Sequence, residues 1–362
     1  MKAAPTMQDV AKAAGYSRAA VSMALRGDRS IPEATRHRIQ AVARRLGYRT
    51  NPLVAALMSQ QRQRRTTATS ATTAIAYLSS HPPENPWRRQ ATYRSMFAGA
   101  SERAAEIGCR LEEFDLGAPG MTPARVREIL HTRHIHAVVV APLPHRETRL
   151  EFDFSSLAVV GLGMSVHSPL IERVTNDLFQ SVSLAVERCV ALGYRRIGFV
   201  LSRETSHRLD HRWLAGYRFA IEHHGLADRP PPLMTDRTEE LAGALPAWLR
   251  AHRPEVVILG NSEASLFAVV PPSVGVVDLS VSRRDGALTG IFQNYPLQGA
   301  IAVDHAVAKL QSNVLGPMGE AHLHLVAGIW VPGTTAPGPR RSRASVSRAA
   351  GVTKRVAFGS FY

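Results

Sequence analysis

Apolar residues follow two different rhythms along the chain. Near the amino end they recur every three or four positions, and from residue 73 onward short apolar runs alternate with helical stretches. In the first regime Met7, Val10, Ala11 and Ala14 stand at i, i+3, i+4 and i+7, one face of a helix. Thr6 with Asp9 three positions on reads as a capping box with Asp in place of Glu, and Gly15 as the helix stop. A second helix is predicted over 17–26, with Ala20, Val21, Ala24 and Leu25 inward and Arg18, Ala19, Ser22 and Met23 outward. A third begins near Pro32 and Glu33, buries Ile39, Val42, Ala43 and Leu46, and closes at Gly47. Two helices joined by a few residues and backed by a third predict a helix-turn-helix headpiece. Pro52 then suits the first turn of a short helix in which Val54, Leu57 and Met58 follow at helical spacing. That helix is too short to be stable alone in water and needs a partner.

The second regime predicts strands at TAIAYLS, CRLEEFDL, HAVVVAPL, LAVVGLG, RRIGFVLS, PEVVILGN, VGVVDL and LTGIFQNY. Between them lie predicted helices over 92–107, TPARVREILHTR, NDLFQSVSLAVERCVALGY, DHRWLAGYRFAIEHHGL, PAWLRAH and PLQGAIAVDHAVAKLQS, with HLHLVAGIWVPGTT ending the folded part. Strands alternating with helices imply parallel sheets covered on both faces. Residues 72–335 exceed one comfortable sheet, so two α/β lobes with a ligand cleft between them are expected.

Charge sharpens this division. Of 362 residues, 44 are Lys or Arg and 29 are Asp or Glu, a net charge of +15. Residues 1–65 hold 13 basic and 3 acidic side chains, residues 336–362 hold 6 basic and none acidic, and the middle is close to neutral. Excess positive charge confined to the headpiece and the tail fits a polyanion partner for those parts and a different role for the middle. No run of 18 apolar residues predicts a membrane helix, and the first residues lack an apolar secretory core. Two cysteines, Cys109 and Cys189, do not suggest a disulfide framework, and a reducing cytoplasm fits.

The runs QDVAKAAGYSRAAVSMALRG, IPEATRHRIQAVARRLGY and NPLVAALM resemble the headpiece of lactose-repressor-type (LacI/GalR) transcription regulators. TNDLFQSVSLAVERCVALGYRRIGFV, RWLAGYRFA, PEVVILGNSE, GVVDL and LTGIFQNY resemble successive blocks of that family's effector domain, which is similar to a type-I periplasmic sugar-binding protein. The resemblance implies DNA contacts from Ser17, Arg18, Ala19, Ser22 and Met23, with Arg26 adding a phosphate contact and Thr6, Tyr48 and Asn51 positioning the backbone. It implies that Leu57 wedges between base pairs in the minor groove while Leu53 faces the twin hinge helix of a homodimer. A twofold dimer predicts a palindromic double-stranded operator. For the effector, the resemblance points to Asn261, Asp278 and Tyr295, and to Arg212, one place from the usual arginine position, which Trp213 holds here. Trp213 either stacks on a sugar face or packs in the core. The 17-position spacing from Asn261 to Asp278 is shorter than is common in the family.

Enzyme readings find little support. GLGMSV at 161–166 is neither a complete GxGxxG nor a GxSxG elbow, and no GxxxxGK[ST] occurs. The pairs His134/His136, His223/His224 and His322/His324 show no partners for a zinc site, and no metal or cofactor is expected. The expected organisation is a headpiece (1–49), a hinge helix and linker (50–71), a two-lobed effector-binding and dimerisation domain (72–335) and a basic disordered tail (336–362). The expected function is that of a cytoplasmic, sugar-responsive repressor. Two alternatives remain: a solute-binding protein or sugar-active enzyme with an incidental headpiece, and an architectural DNA binder whose effector lobe has lost its ligand.

Overall fold

A computed structural model describes residues 7–25, 31–46, 73–144, 147–260, 263–317, 319–320 and 322–339, apart from the side chains at 7, 8, 18, 19 and 22. The predicted hinge helix, Gly47 and the tail beyond 339 lie outside those residues. Helices α1 (Met7–Ala14), α2 (Arg18–Leu25) and α3 (Glu33–Arg45) close around Val10, Ala11, Ala14, Val21, Ala24, Ile39 and Ala43. Val42, Leu46, Leu25 and Tyr16 rest against this core. Gly15 takes φ +76°, where a side chain would be strained, and lets the chain turn from α1 into α2. Met23, expected on the outer face, is half-buried.

The remaining chain builds two six-stranded sheets. The first uses β1 (Thr73–Ser79), β2 (Cys109–Asp115), β3 (Ala137–Val140), β4 (Ala158–Leu162), β5 (Glu172–Asn176) and β11 (Leu323–Val326), in the order β2-β1-β3-β4-β5-β11. All its pairings are parallel. The second uses β6 (Ile197–Ser202), β7 (Leu233–Thr235), β8 (Val256–Leu259), β9 (Gly275–Val281), β10 (Gly290–Phe292) and β12 (Ile329–Val331), in the order β7-β6-β8-β9-β10-β12. Here β12 runs antiparallel to β10, so this sheet is mixed rather than purely parallel. Both sheets carry the doubly wound 2-1-3-4-5 order plus one strand supplied from later in the chain. In that order the strand sequence reverses beside the first strand, where ligand sites form outside the carboxyl ends.

Helices cover these sheets. On the first, α4 (Ala91–Glu106) and α11 (Tyr295–Gln311) bury one face around Tyr77, Trp87, Met96 and Val303. The opposite face packs Val126 and Leu130 of α5 (Pro123–Thr132) against Val138, Val140 and Phe154. Thr122 caps α5 by accepting a hydrogen bond from the Arg125 amide at 3.3 Å. On the second sheet, α9 (Leu241–His252) and α10 (Ala264–Val269) bury Leu245, Trp248 and Leu266 against Val200 and Val257. Helix α6 (Leu178–Ala191) packs on α8 (Arg212–His223), and Tyr217 of α8 stacks on Phe199 of β6 at 4.8 Å.

Several expectations give way to packing. Helix α9 begins five residues before Pro246, because Leu241 and Leu245 are buried ahead of the proline. Strands β5 and β7 were not foreseen, since ERVTN and LMT carry no apolar run. HLHLVAGIWVPGTT divides into β11 and β12, one for each sheet. The fold also continues past residue 335. The Ala336 amide donates to Thr289 Oγ1 at 3.1 Å and the Gly338 amide to the Tyr194 hydroxyl at 3.0 Å, so residues 336–339 belong to the second sheet's body and not to a tail.

Two compact units result. Of the described residues, the first holds those up to Asp177 with 208–210 and 293–328, and the second holds those in 178–207, in 211–292 and from 329. Within the first, α4 and α11 meet backbone to backbone. A Cβ added at Gly99 would lie 2.0 Å from the Pro296 carbonyl oxygen, and one at Gly299 would lie 2.0 Å from that of Met96. Arg103 of α4 adds a 2.8 Å bond to Asp304 of α11. Gly299→Val is therefore expected to lower stability by about 1–3 kcal/mol, seen as a fall in thermal midpoint. Gly243, on an exposed turn of α9 with nothing near its Cβ position, provides the contrast. Gly243→Ala is expected to stabilise by about 0.5–1 kcal/mol in the same assay.

Candidate functional sites

The headpiece presents α2. Ser17 is exposed immediately before this helix, where its Oγ accepts the Ala20 amide at 3.1 Å and its carbonyl accepts that of Val21 at 3.0 Å. The hydroxyl thus serves as an N-cap and still has its proton to donate. No carboxylate stands in the first turn of α2 to oppose an approaching phosphate. Gln40 of α3 donates to the Ala24 carbonyl at 3.3 Å, tying the far end of α2 to its support. Of the predicted DNA-contact residues, Ser17 and Met23 are placed with their side chains, and Arg18, Ala19 and Ser22 are placed on α2 by backbone. Thr6, Arg26, Tyr48, Asn51, Leu53 and Leu57 lie outside the described residues.

The second unit gathers polar groups level with the carboxyl ends of β6 and β8. Asp278 sits in β9, in register with Leu259 of β8 and Gly290 of β10, and is 2% exposed. Its Oδ1 accepts the Ser280 amide at 2.9 Å. Gly290 has to be glycine here, since a Cβ would fall 1.9 Å from the Asp278 carbonyl oxygen. Arg212 and Trp213 open α8. Trp213 is 5% exposed and lies beside Gly260 at the end of β8, where an added Cβ would come within 3.4 Å of its ring. Its indole Nε1 is buried and has no acceptor among the described residues. The indole therefore packs in the core and yet keeps a donor to spare. Asn261, next after Gly260, lies outside the described residues. Tyr295 opens α11 in the first unit, half-buried against that unit's core.

Sequence reasoning missed further groups at these strand ends. Ser202, the last residue of β6, bonds Thr205 Oγ1 at 2.9 Å and Thr238 Oγ1 at 3.0 Å, and it caps α7 (Arg203–Arg208) by accepting the Thr205 amide. In the first unit Ser79, the last residue of β1, donates to Asp115 at 3.0 Å. Close by, His81 meets the Tyr93 ring at 5.6 Å, and Arg208 donates to the Tyr93 hydroxyl at 2.6 Å and to the Leu143 and Pro144 carbonyls. The one available signal was positional: polar residues that directly follow an apolar strand run of a doubly wound sheet. Between residues 263 and 274 the chain forms the six-residue α10 and a turn in which the Val274 amide donates to the Pro271 carbonyl at 2.9 Å, and β9 follows at once. The His322/His324 pair also needs correction. Folding brings His324 a carboxylate and a second imidazole, both more than a dozen residues away in sequence.

Comparison with known proteins agrees with this arrangement. Residues 6–51 match the family described as bacterial regulatory proteins, lacI family, and residues 38–271 match periplasmic binding proteins and sugar binding domain of LacI family. A curated relative, the HTH-type transcriptional regulator PtxS of Pseudomonas plecoglossicida, is 27% identical over 270 residues, 72% of each chain. Among solved structures, the lac repressor bound to ONPG superposes with a TM-score of 0.54 at 19% identity, over 92% of this chain and all of that one. A complex of the transcriptional regulator CelR with cellobiose gives 0.52 at 18% identity, over 91% of this chain and all of that one. No helix among the described residues is long and apolar enough to cross a membrane. A helix-turn-helix followed by a periplasmic-binding-protein-like body, with these matches over most of its length, places the chain in the LacI family of transcriptional regulators.

Proposed function

We propose that this regulator is a repressor that binds a palindromic operator as a homodimer and responds to a small sugar or sugar derivative. The observation that carries the effector half is the buried Trp213 Nε1, which has no acceptor among the described residues, in the same unit as Asp278. A buried donor left unpaired costs about 1–3 kcal/mol, and a sugar hydroxyl or ring oxygen would remove that cost. Aromatic surface with a few convergent polar groups is the usual lining of a small-molecule site. Asp278 supplies a carboxylate for hydroxyls, and Arg212 and Asn261 are assigned to the effector on the family resemblance. Tyr295 is assigned to the effector on the family resemblance alone. The relatives lend support: one solved neighbour is a cellobiose complex, and another is a lac repressor dimer bound to operator. The protein works in the cytoplasm, needs no cofactor and catalyses no reaction.

On DNA, Arg18 reads base edges, Ser22 and Met23 line the contact, and Ser17 donates to a phosphate. Thr6, Arg26, Tyr48 and Asn51 act on the backbone, Leu57 wedges into the minor groove, and Leu53 pairs the hinges. The effector acts by differing in affinity for the DNA-competent and DNA-incompetent states. The short Asn261–Asp278 segment favours one other reading, an architectural DNA binder without a ligand.

Four measurements test these assignments. Selection from random duplexes by the full chain is expected to yield a twofold-symmetric site whose affinity falls steeply with salt. Arg18→Ala should cost about 1–3 kcal/mol and relax one position in each half-site. An asymmetric site or a flat salt response would contradict the dimeric reading. Leu57→Ala should bind more weakly and bend the operator less, and undiminished bending would remove the wedge. A thermal-shift screen of sugars and phosphosugars should give a hit whose affinity drops about fivefold to tenfold in Trp213→Phe, while the ligand-free midpoint stays level or rises. No hit across a broad panel, with operator binding intact, would favour the architectural reading.

A further inference from the structure

Three side chains from distant parts of the first unit converge where β5 begins. Glu172 is the first residue of β5 and its side chain is 8% exposed. His305 comes from α11 and His324 from β11. His305 Nδ1 lies 2.6 Å from Glu172 Oε1, and His324 Nε2 lies 2.7 Å from the same oxygen. The imidazole centroids are 3.9 Å apart with a 61° angle between planes. Lys309, one turn beyond His305, places its ammonium 3.5 Å from the other carboxylate oxygen, Oε2.

Burial alone would push the Glu172 carboxyl up. The hydrogen bonds from His305 and His324 and the charge of Lys309 outweigh it and hold the group below the ordinary glutamate value, so the carboxylate is ionised at neutral pH. One anionic oxygen therefore faces two imidazole nitrogens, and the three candidate ligand atoms all lie within 4.8 Å of one another. Two imidazole nitrogens and one carboxylate oxygen form a familiar donor set for zinc, and a water completes the tetrahedron in sites of this kind. His305 and His324 are 33% and 34% exposed, which leaves an approach for the ion and for that water.

We propose that Glu172, His305 and His324 form a binding site for a divalent transition-metal ion of the zinc class, which fastens β11 and α11 to β5. Bond lengths of about 2.0–2.1 Å in a tetrahedron put ligand atoms about 3.3 Å apart. The present 2.6 and 2.7 Å separations open to that spacing when the two half-exposed rings turn slightly away from Oε1. A metal needs a lone pair on each nitrogen that now faces the carboxylate, so a proton held there has to move to the ring's other nitrogen or leave. Lys309 has two effects. By holding Oε2 it leaves Glu172 a one-oxygen ligand, and its positive charge weakens the site. Nitrogen-rich donors disfavour magnesium and calcium, which prefer oxygen.

The test uses the full chain, stripped with chelator and then titrated with Zn²⁺ or Co²⁺. One equivalent of Zn²⁺ should bind and raise the thermal midpoint, Co²⁺ should give the intense visible absorption of a four-coordinate site, and Mg²⁺ should do neither. His324→Gln, a volume-conserving change on a half-exposed strand, and His305→Ala should each lower Zn²⁺ affinity at least tenfold, whereas Lys309→Met should raise it. If Zn²⁺ leaves the midpoint unchanged, or if uptake and shift persist undiminished in His324→Gln, the cluster is a hydrogen-bonded tie without a metal and the proposal fails. Operator binding and sugar response are separate readouts, so either reading can fail without the other.

Discussion

The close crossing of α4 and α11 is the constraint on which the first unit depends. The chain builds five strands of that unit, departs at residue 178 to build the second sheet, and returns at 293. The returning segment has to find its place on a sheet made more than a hundred residues earlier. Gly99 and Gly299 allow the two helices to meet through their backbones, and the Arg103–Asp304 pair fixes their register. Helices that approach this closely exchange many small dispersion contacts and tolerate few substitutions. Once α11 is seated, β11 joins the edge at β5, and Glu172, His305 and His324 meet as a consequence.

The repetition of one strand order in both sheets gives the molecule two equivalent strand-end surfaces. In the second unit that surface holds Asp278, Trp213 and the Ser202 hydroxyl cluster, and in the first it holds Ser79, Asp115, His81 and Arg208. Parallel strands put all their carboxyl ends on one edge, so side chains far apart in sequence gather there without any special device. The headpiece is organised differently. Its chemistry is local, with Ser17 capping the helix that follows it.

How much was legible in the sequence followed from how local the cause was. The three headpiece helices, the Gly15 turn and the Thr122 cap depend on neighbours within a few residues, and they lie where periodicity and capping rules put them. Most strands of both sheets were readable as apolar runs. Strands β5 and β7 were not, because ERVTN and LMT become strands only through pairing with ladders already present. Helix α9 overrode the usual meaning of Pro246 through the burial of Leu241 and Leu245. Asp278 was marked by its place in VVDL, but nothing local showed that the Trp213 indole nitrogen would be buried with no acceptor among the described residues. The Glu172 cluster was hidden for the same reason, since its members are brought together by the return of α11 and β11.

A ligand held in the second unit is proposed to change the grip of the headpiece on DNA. Linkage demands that such coupling be reciprocal. The most direct measurement is the dissociation constant for the selected operator, taken across a titration of a bound sugar, together with the sugar's own dissociation constant with and without operator. Saturating sugar is expected to shift operator affinity by about 5–150-fold, and operator to shift sugar affinity by the same factor. An operator affinity that stays constant while the sugar goes from absent to saturating would contradict it.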